Sequence, residues 1–490
     1  MEAISKQNQV PLFPTATNPN PFALFSHHFL SKLSQFLCLL TLSVLAFTEA
    51  FLLLQTSEPM IHFLLLCIFL LCFALKYFLS KPPPIYLVDY TCLKPPGSCR
   101  VPFSLFLENS SLIGFDKESV TFMAKILTSS GQSEETCLPP ALHYIPPKIH
   151  QSESIKEAQM VVFPVIDDLL AKTNLSPLDI DILIFNCSGF CPVPSLSSIV
   201  INKYSLRSDI KSYNMSGMGC TASAIGVDLA KHLLSVHKNS NAILISTEIL
   251  STGWYSGNER SKLVINCLFR MGSAAILLSN KKEAKRSSKY RVISTLRTHM
   301  GFDDQAYTSA FREEDPQGNL GVTLQGDLLK VAGETLRTNI TDLGLEILPF
   351  SEKFWYVVRV LKKKMTMKNK SEGGSVIQPP NFKTVISHFC LPCSGRAVIR
   401  EIGKGLRLAE RDMEAALMTL HRFGNQSSSS LWYQLGYLEG KERVKKGDKV
   451  WQFGMGSGTK CCSVVLECVR PIIGESNKGP WAGCIHQYPI

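Results

Sequence analysis

Two long apolar segments near the amino terminus constrain this chain more than any other feature. Residues 36–54 form the first segment, which is interrupted mainly by Glu49, and residues 60–79 form the second. As a helix, the second segment can cross about 30 Å of hydrocarbon at a rise of about 1.5 Å per residue. The short gap between the segments predicts a transmembrane helical hairpin over residues 36–80. Because a carboxylate is costly against lipid, we expect Glu49 to face the partner helix.

The charges that flank the hairpin predict its orientation. The gap between the apolar segments carries only Glu58, whereas the outer flanks carry Lys32, Lys76, Lys81, Lys94 and Arg100. Lys and Arg favour the cytosolic side, so both flanks and the long remainder of the chain are predicted to be cytosolic. The alternative is a cleaved signal peptide followed by a single span. Residues 1–35, which begin with a proline- and asparagine-rich stretch, are predicted to be a disordered leader.

Composition excludes several classes of protein. The 490 residues, 45% of them hydrophobic and 19% charged, are enough for a folded chain with a sizeable core. The net charge of +11 is spread along the chain, which suits anionic partners such as phosphates or a membrane surface but does not indicate nucleic acid. The 16 cysteines lack the paired spacing of a zinc module, and a cytosolic location predicts free thiols. We therefore expect no metal site.

Beyond residue 81, short β-branched runs alternate with amphipathic stretches. Strands are predicted at 180–186, 242–246, 274–278 and 449–453, and helices at 222–236 and 395–406. This alternation predicts an α/β layered fold. A basic and then Gly/Ser/Pro-containing stretch at 362–380 reads as an exposed loop. It divides the chain into a first half over 81–361 and a second half over 381–490.

Cys220 has the most informative surroundings of any cysteine. It lies in Ser212-Tyr-Asn-Met-Ser-Gly-Met-Gly-Cys-Thr-Ala-Ser, where small residues lead directly into a predicted helix. The free N–H groups of a helix start stabilise a thiolate, so we expect Cys220 to be reactive. Gly217 and Gly219 permit a sharp turn and the close approach of an acyl group. A buried structural cysteine beside a tight turn is an equally good interpretation of these residues alone.

Two further segments carry chemically useful groups. His421 and Asn425 stand four residues apart before a serine-rich helix start, and together they could hold a developing oxyanion. An asparagine helix cap beside a packed histidine explains the same residues and is favoured by them alone. The glycine-rich run 454–458 follows a predicted strand and could offer backbone N–H groups to an oxyanion or phosphate. It lacks the Lys-Ser/Thr ending of a nucleotide loop, so a tight turn is the simpler interpretation.

Taken together, these segments resemble the plant 3-ketoacyl-CoA synthases, the condensing enzymes of very-long-chain fatty acid elongation. The resemblance runs from about Tyr86 to Val469, and an amino-terminal membrane hairpin also fits it. Besides the Cys220 segment, the matching motifs are Pro194-Ser-Leu-Ser, Trp254-Tyr-Ser-Gly-Asn-Glu-Arg, Asn266-Cys-Leu-Phe-Arg-Met-Gly, Arg297-Thr-His-Met-Gly-Phe-Asp-Asp, Val331-Ala-Gly-Glu and Met418-Thr-Leu-His-Arg-Phe-Gly-Asn.

The resemblance implies a thiolase-like fold of two similar α/β halves in αβαβα layers, preceded by two transmembrane helices. It implies that Cys220 takes an acyl group from acyl-CoA as a thioester. The carbanion formed by decarboxylation of malonyl-CoA then attacks that thioester and gives 3-oxoacyl-CoA. Asn425 matches the family's catalytic asparagine, and His299, His388 and His421 match histidines of its motifs. No metal or redox cofactor is implied.

The resemblance also implies partners and a location. The substrates are acyl-CoA and malonyl-CoA, and the location is the endoplasmic reticulum membrane with the catalytic part in the cytosol. A homodimer or a heterodimer with a related synthase is expected, together with contacts to other elongase subunits.

One departure from the family pattern concerns catalysis itself. The family's catalytic histidine lies in a loop reading His-Ala-Gly-Gly-Arg-Ala, whereas this chain reads His388-Phe-Cys-Leu-Pro392-Cys-Ser-Gly-Arg396-Ala. An alignment without a gap places Pro392 at the position of that histidine. Proline offers neither a base nor a side-chain donor. His388 is four residues away, which is about 13 Å of extended chain. The alternative to a working synthase is therefore an impaired relative that regulates elongation by binding acyl-CoA or an active synthase.

Overall fold

The computed structural model describes residues 41, 43–52, 55, 59–79, 83–367 and 380–490. The predicted leader lies outside these residues, as does most of the loop predicted at 362–380. The described residues 362–367 of that loop instead belong to a helix, Phe350–Met367. The chain divides into two units, residues 1–83 and residues 84–490. The second unit contains all of the sheet and the candidate site.

The amino-terminal unit contains two helical stretches, residues 43–52 and helix α1 (Pro59–Leu79). Glu49 Oε2 lies 2.9 Å from His62 Nδ1, so the expectation that Glu49 faces the second apolar segment is confirmed. The side chains of α1 are described only for residues 60–71. Within the described parts of the chain, no helix combines the length and apolar character of a membrane span. The two transmembrane helices therefore stay a prediction.

Nine strands of the second unit form one mixed sheet in the order β3-β2-β4-β5-β1-β6-β11-β10-β9, and β7 and β8 form a separate hairpin. The strands are β1 (Tyr86–Cys92), β2 (Ile182–Asn186), β3 (Lys211–Met215), β4 (Asn241–Thr247), β5 (Ser273–Ser279), β6 (Tyr290–His299), β7 (Ala310–Glu314), β8 (Leu320–Leu324), β9 (His388–Cys390), β10 (Lys449–Gly456) and β11 (Lys460–Cys468).

Helices occupy the connections between these strands. They are α2 (Phe103–Ile113), α3 (Lys117–Ser130), α4 (Gln151–Thr173), α5 (Leu196–Tyr204), α6 (Ala222–Val236), α7 (Arg260–Leu268), α8 (Ala284–Ser287), α9 (Asp304–Thr308), α10 (Leu328–Ile347), α11 (Phe350–Met367), α12 (Arg396–Leu406), α13 (Glu410–Phe423) and α14 (Ser430–Gly440).

The pairing of the strands repeats itself across the sheet. In the first half β2 is parallel to β4, β4 is antiparallel to β5, and β5 is antiparallel to β1. In the second half β9 is parallel to β10, β10 is antiparallel to β11, and β11 is antiparallel to β6. The halves meet where β1 pairs with β6 over only two residue pairs. Strand β6 lies within the range 81–361 but pairs with β11 beyond the segment 362–380. The halves of the sheet therefore do not coincide with the predicted ranges 81–361 and 381–490.

Alternating side chains divide the core into three clusters and hence the fold into five layers. On β4, Ala242 and Leu244 belong to a central cluster, whereas Ile243 and Ile245 belong to an outer one. The central cluster contains α6 and α14 together with residues of both halves of the sheet. The outer clusters cover the first half with α2 to α5 and α7, and the second half with α10, α12 and α13. The αβαβα arrangement of two similar halves is thereby observed.

Candidate active site

Cys220 lies in a short turn, Gly219–Thr221, between strand β3 and the central helix α6. Gly217 and Gly219 have φ angles of +65° and +63°, a conformation that glycine adopts without strain. The loop that follows β2 holds this turn in place. The Gly219 amide donates to Ser188 Oγ at 2.9 Å, and the Gly217 amide donates to the Ser188 carbonyl at 3.2 Å.

The glycine-rich end of β10 packs directly on the same turn. A Cβ atom on Gly454 would lie 2.7 Å from Thr221 Cα, and one on Gly456 would lie 2.1 Å from the Met218 carbonyl oxygen. A Cβ on Gly219 would in turn lie 2.8 Å from the Ser457 amide nitrogen. The glycines of this run therefore allow two backbones to touch. This close packing accounts for the glycines, as the tight-turn interpretation predicts.

Asn425 belongs to the corresponding turn of the second half, between α13 and the other central helix, α14. The Asn425 backbone pairs with the segment after α7: its carbonyl accepts from the Arg270 amide at 2.9 Å, and its amide donates to the Leu268 carbonyl at 3.3 Å. Its side-chain Oδ1 accepts from the Ser427 amide at 2.8 Å. That bond fixes the orientation of the carboxamide and leaves Nδ2 as the group available to a substrate oxygen.

Ser427 connects the two turns. Its φ angle is +55°, which is uncommon for a residue with a side chain, and its hydroxyl donates to Cys220 Sγ at 3.5 Å. The candidate nucleophile and the Asn425 turn thus meet between the two halves, each at the start of a central helix. Sequence analysis did not select Ser427. Its only signal is its place in the serine run directly after Asn425.

The environment of Cys220 disfavours its thiolate. Burial raises the pKa of the Cys220 thiol to about 11, while the hydrogen bond from Ser427 lowers it and the nearby Glu248 carboxylate raises it further. This burial opposes the expected reactive thiolate, which stays a prediction to be tested by iodoacetamide labelling. A helix start favours the anion, but the loss of hydration opposes it more strongly.

The three histidines predicted for the site are hydrogen-bonded elsewhere. His299, at the end of β6, accepts from the Gly301 amide at 2.9 Å through Nδ1. His388, at the start of β9, lies 2.9 Å from Asp448 Oδ2 through Nε2. His421, on α13, lies 3.2 Å from the Tyr488 hydroxyl through Nδ1.

Among the described residues, none of these hydrogen bonds joins an imidazole to Cys220. Burial lowers the pKa of each, His388 included despite its carboxylate partner. His421 is close to Asn425 in sequence, but it faces the carboxyl-terminal segment instead of the nucleophile. Asn425 is linked to Cys220 through Ser427, whose amide donates to Asn425 Oδ1 and whose hydroxyl donates to Cys220 Sγ.

The segment around Pro392 is held against α14 by the amide of Gln434. That amide accepts from the Leu391 N–H at 2.7 Å and donates to the Leu391 carbonyl at 2.6 Å and to Cys393 Sγ at 3.2 Å. Pro392 is buried between these two residues. Burial raises the pKa of Cys393 to about 12. Cys393 is therefore a protonated thiol at neutral pH and does not act as a base.

Glu248, which follows β4, positions the loop that holds the nucleophile turn. Its carboxylate accepts from the Gly189 amide at 2.7 Å and the Ser188 amide at 3.2 Å. Ser188 in turn contacts Gly217 and Gly219. Glu248 is therefore a positioning residue, and sequence analysis missed it because a single acidic residue after a strand carries no distinctive pattern.

Replacing Glu248 with glutamine is expected to speed alkylation of Cys220 by iodoacetamide at pH 9. The carboxylate raises the pKa of Cys220, so its removal lowers that pKa and increases the thiolate fraction. We expect a roughly two- to tenfold increase, since one pKa unit corresponds to tenfold. The rate is measured on the peptide that contains Cys220.

The matched control for this variant is Glu157→Gln. Glu157 accepts from the amides of Leu250 and Ser251 at 2.7 and 2.9 Å, so it also supports a nearby loop, but it is not among the groups that shift the Cys220 pKa. An equal acceleration in both variants would mean that loosening of the loops, and not charge, controls the thiol.

Solved structures confirm the fold. A fungal type III polyketide synthase, ORAS, matches with a TM-score of 0.60 at 15% identity, over 78% of this chain and 99% of that one. A type III pentaketide synthase from Neurospora crassa matches with a TM-score of 0.57 at 14% identity, over 78% and 99%. The two layered halves, with a cysteine at the start of a central helix, thus define a protein with the thiolase-like fold.

Sequence comparisons identify the family within that class. Residues 77–365 match the family described as FAE1/Type III polyketide synthase-like protein, and residues 383–468 match the carboxyl-terminal part of 3-oxoacyl-[acyl-carrier-protein] synthase III. The chain is 51% identical over 421 residues to 3-ketoacyl-CoA synthase 6 of Arabidopsis thaliana, covering 84% of this chain and 82% of the relative. It is 50% identical to 3-ketoacyl-CoA synthase 5 of the same plant over 476 residues, 94% of each chain. The chain belongs to the 3-ketoacyl-CoA synthase family, as its motifs predict.

Proposed function

We propose that this chain condenses long-chain acyl-CoA with malonyl-CoA to give 3-oxoacyl-CoA in very-long-chain fatty acid elongation. The observation that carries the proposal is the meeting of Cys220 with the Asn425–Ser427 turn between two thiolase-like halves. The relatives named 3-ketoacyl-CoA synthases support the same reaction.

In the first step, Cys220 Sγ attacks the thioester carbonyl of acyl-CoA, and CoA leaves as a thiol. In the second step, malonyl-CoA loses CO₂, and the resulting carbanion attacks the acyl-cysteine and releases the Cys220 sulfur. Negative charge develops on the malonyl thioester oxygen. Asn425 Nδ2 is the donor proposed for that oxygen, because Asn425 Oδ1 already accepts from the Ser427 amide.

The first step requires the Cys220 thiol to lose its proton, and burial of this thiol opposes that loss. With a pKa of about 11, about one thiol in 10⁴ is ionised at pH 7. Among the described residues, the recorded hydrogen-bond partner of Sγ is the Ser427 hydroxyl, which is not a base at neutral pH. We therefore expect condensation to proceed, but more slowly than with an imidazole at position 392.

The proposal includes a location and partners. Residues 36–80 would anchor the chain in the endoplasmic reticulum membrane as a helical hairpin, with the catalytic part in the cytosol. The apolar sequence of that segment and the basic residues that flank it support this arrangement. The family relationship supports a homodimer or a heterodimer with a related synthase, and contacts with other elongase subunits.

The test is product formation in membranes that lack other condensing enzymes. Full-length protein receives labelled malonyl-CoA and saturated acyl-CoAs of several lengths, and 3-oxoacyl products are measured. Product is expected from the parent chain and is lost in Cys220→Ala. The control is Cys191→Ala, which removes an exposed cysteine outside the site and is expected to retain activity. Product that persists in Cys220→Ala would contradict the proposal.

A further inference from the structure

Helix α11 carries a cluster of aromatic side chains that face solvent. Phe350, Phe354 and Trp355 are 81%, 51% and 58% exposed. Their rings touch one another: the Phe350 and Phe354 centroids are 6.5 Å apart, and the Phe354 and Trp355 centroids are 5.8 Å apart. Single exposed apolar residues are ordinary on protein surfaces, but a contiguous aromatic cluster marks an interaction site.

The folded core does not use this helix. The outer core of the second half includes Leu336, Ile340 and Leu343 of α10 and continues to Leu348, directly before α11. Among the described residues, no side chain of α11 belongs to that core. The core of this unit therefore leaves the three aromatic side chains exposed.

The charges of α11 indicate what that partner is. The helix contains five basic residues and one acidic residue, Glu352, and Glu352 lies 4.0 Å from Arg359. The basic residues are Lys353, Arg359, Lys362, Lys363 and Lys364. Aromatic side chains followed by a lysine cluster are the combination with which helices bind the interface of anionic lipid bilayers.

We propose that α11 docks on an anionic phospholipid surface, with Phe350, Phe354 and Trp355 inserted among the lipid headgroups and acyl chains. The excess of basic residues in the α11 sequence adds electrostatic attraction to the phosphates and carboxylates of these lipids. This contact is separate from the amino-terminal apolar segments and does not depend on the chemistry at Cys220. It would hold the catalytic unit against the membrane that contains long acyl chains.

Tryptophan fluorescence tests the contact directly, because Trp355 is exposed while the other four tryptophans are buried. Full-length protein is placed in nanodiscs of phosphatidylcholine and phosphatidylserine, with or without bromine on the acyl chains. The emission of Trp355 is the difference between the parent and Trp355→Phe. Brominated lipid is expected to quench it, and acrylamide in the water is expected to quench it little. Cys220→Ala should behave as the parent does.

Two other outcomes would overturn the proposal. Quenching by acrylamide but not by brominated lipid would show a free, hydrated helix. Protection from both quenchers would show that protein, either a second copy or another subunit, covers the cluster.

The charge argument has its own test. Lys362→Glu, Lys363→Glu and Lys364→Glu are combined in one chain, and quenching by brominated lipid is expected to fall. The matched control combines Lys281→Glu, Lys282→Glu and Lys285→Glu, which makes the same change of charge in the turn between β5 and β6. Equal effects of the two triple substitutions would contradict a lipid contact specific to α11.

Discussion

Replacing Pro392 with histidine is expected to raise the rate of 3-oxoacyl-CoA formation by about 10²–10⁴, the usual contribution of a positioned base or oxyanion donor. Pro392 stands where the family's catalytic histidine falls in a gapless alignment. The loop around it is already fixed, since Gln434 holds both Leu391 and Cys393. An imidazole there would accept the Cys220 proton, and the resulting cation would lower the pKa of the thiol from about 11.

Pro392→Ala is the control that separates the effect of adding an imidazole from the effect of removing the proline ring. Alanine also removes the proline ring and restores an N–H, but it adds no base, so its rate is expected to stay near that of the parent. If alanine raises the rate as much as histidine does, release of the loop explains the gain. If the parent forms no product and Pro392→His forms it, the scaffold is intact but the natural chain acts through binding. If neither variant changes the rate, the missing imidazole is not what limits this site.

Replacing Lys289 with methionine is expected to destabilise the catalytic unit by about 3–5 kcal/mol, the cost of removing one partner from a buried ion pair. Lys289 is 2% exposed and its Nζ lies 2.7 Å from Glu439, 3.1 Å from Glu475 and 3.2 Å from Asp89. Burial opposes its charge, but the three carboxylates outweigh burial and hold its pKa above the ordinary value. Without Lys289, the buried Glu439 would lose its lysine partner, whereas Asp89 and Glu475 would keep Lys172 at 2.9 and 3.4 Å.

The position of this cluster explains why Lys289→Met should lower the free energy of unfolding of the whole catalytic unit. Asp89 is on β1, Lys289 directly precedes β6, and Glu439 is near the end of α14. The cluster therefore fastens the place where the halves join through only two residue pairs of β1 and β6. Urea or thermal unfolding of the purified chain measures the change.

The control for this prediction is Lys285→Met, at an exposed position of the same connection. Its unfolding free energy is expected to stay within about 0.5 kcal/mol of the parent. If Lys289→Met behaves like this control, the buried charges do not join the halves.

Much of the fold was predictable from local pattern. The strands predicted at 242–246 and 274–278 lie within β4 and β5, and the helix predicted at 222–236 has the bounds of α6. The two strands are buried throughout, so their apolar runs are continuous. Strand β6 escaped prediction because its side chains alternate between buried and exposed positions and include charged residues.

The site was predictable only in part, because its decisive properties are three-dimensional. Cys220 and Asn425 lie in the turns that precede the two central helices, and these turns meet through Ser427. The helix start of Cys220 is visible in the sequence, but the burial that raises its pKa is not. The three histidines likewise match family motifs, while their hydrogen bonds to Gly301, Asp448 and Tyr488 depend on packing.

The central claim is that Cys220 carries the acyl group. The most direct measurement incubates the full-length protein with a saturated acyl-CoA and no malonyl-CoA, and then locates the acyl group by peptide mass spectrometry. We predict a thioester on the peptide that contains Cys220, removed by hydroxylamine and lost in Cys220→Ala. An acyl group on another cysteine, or product formation without any acylated Cys220, would contradict the account.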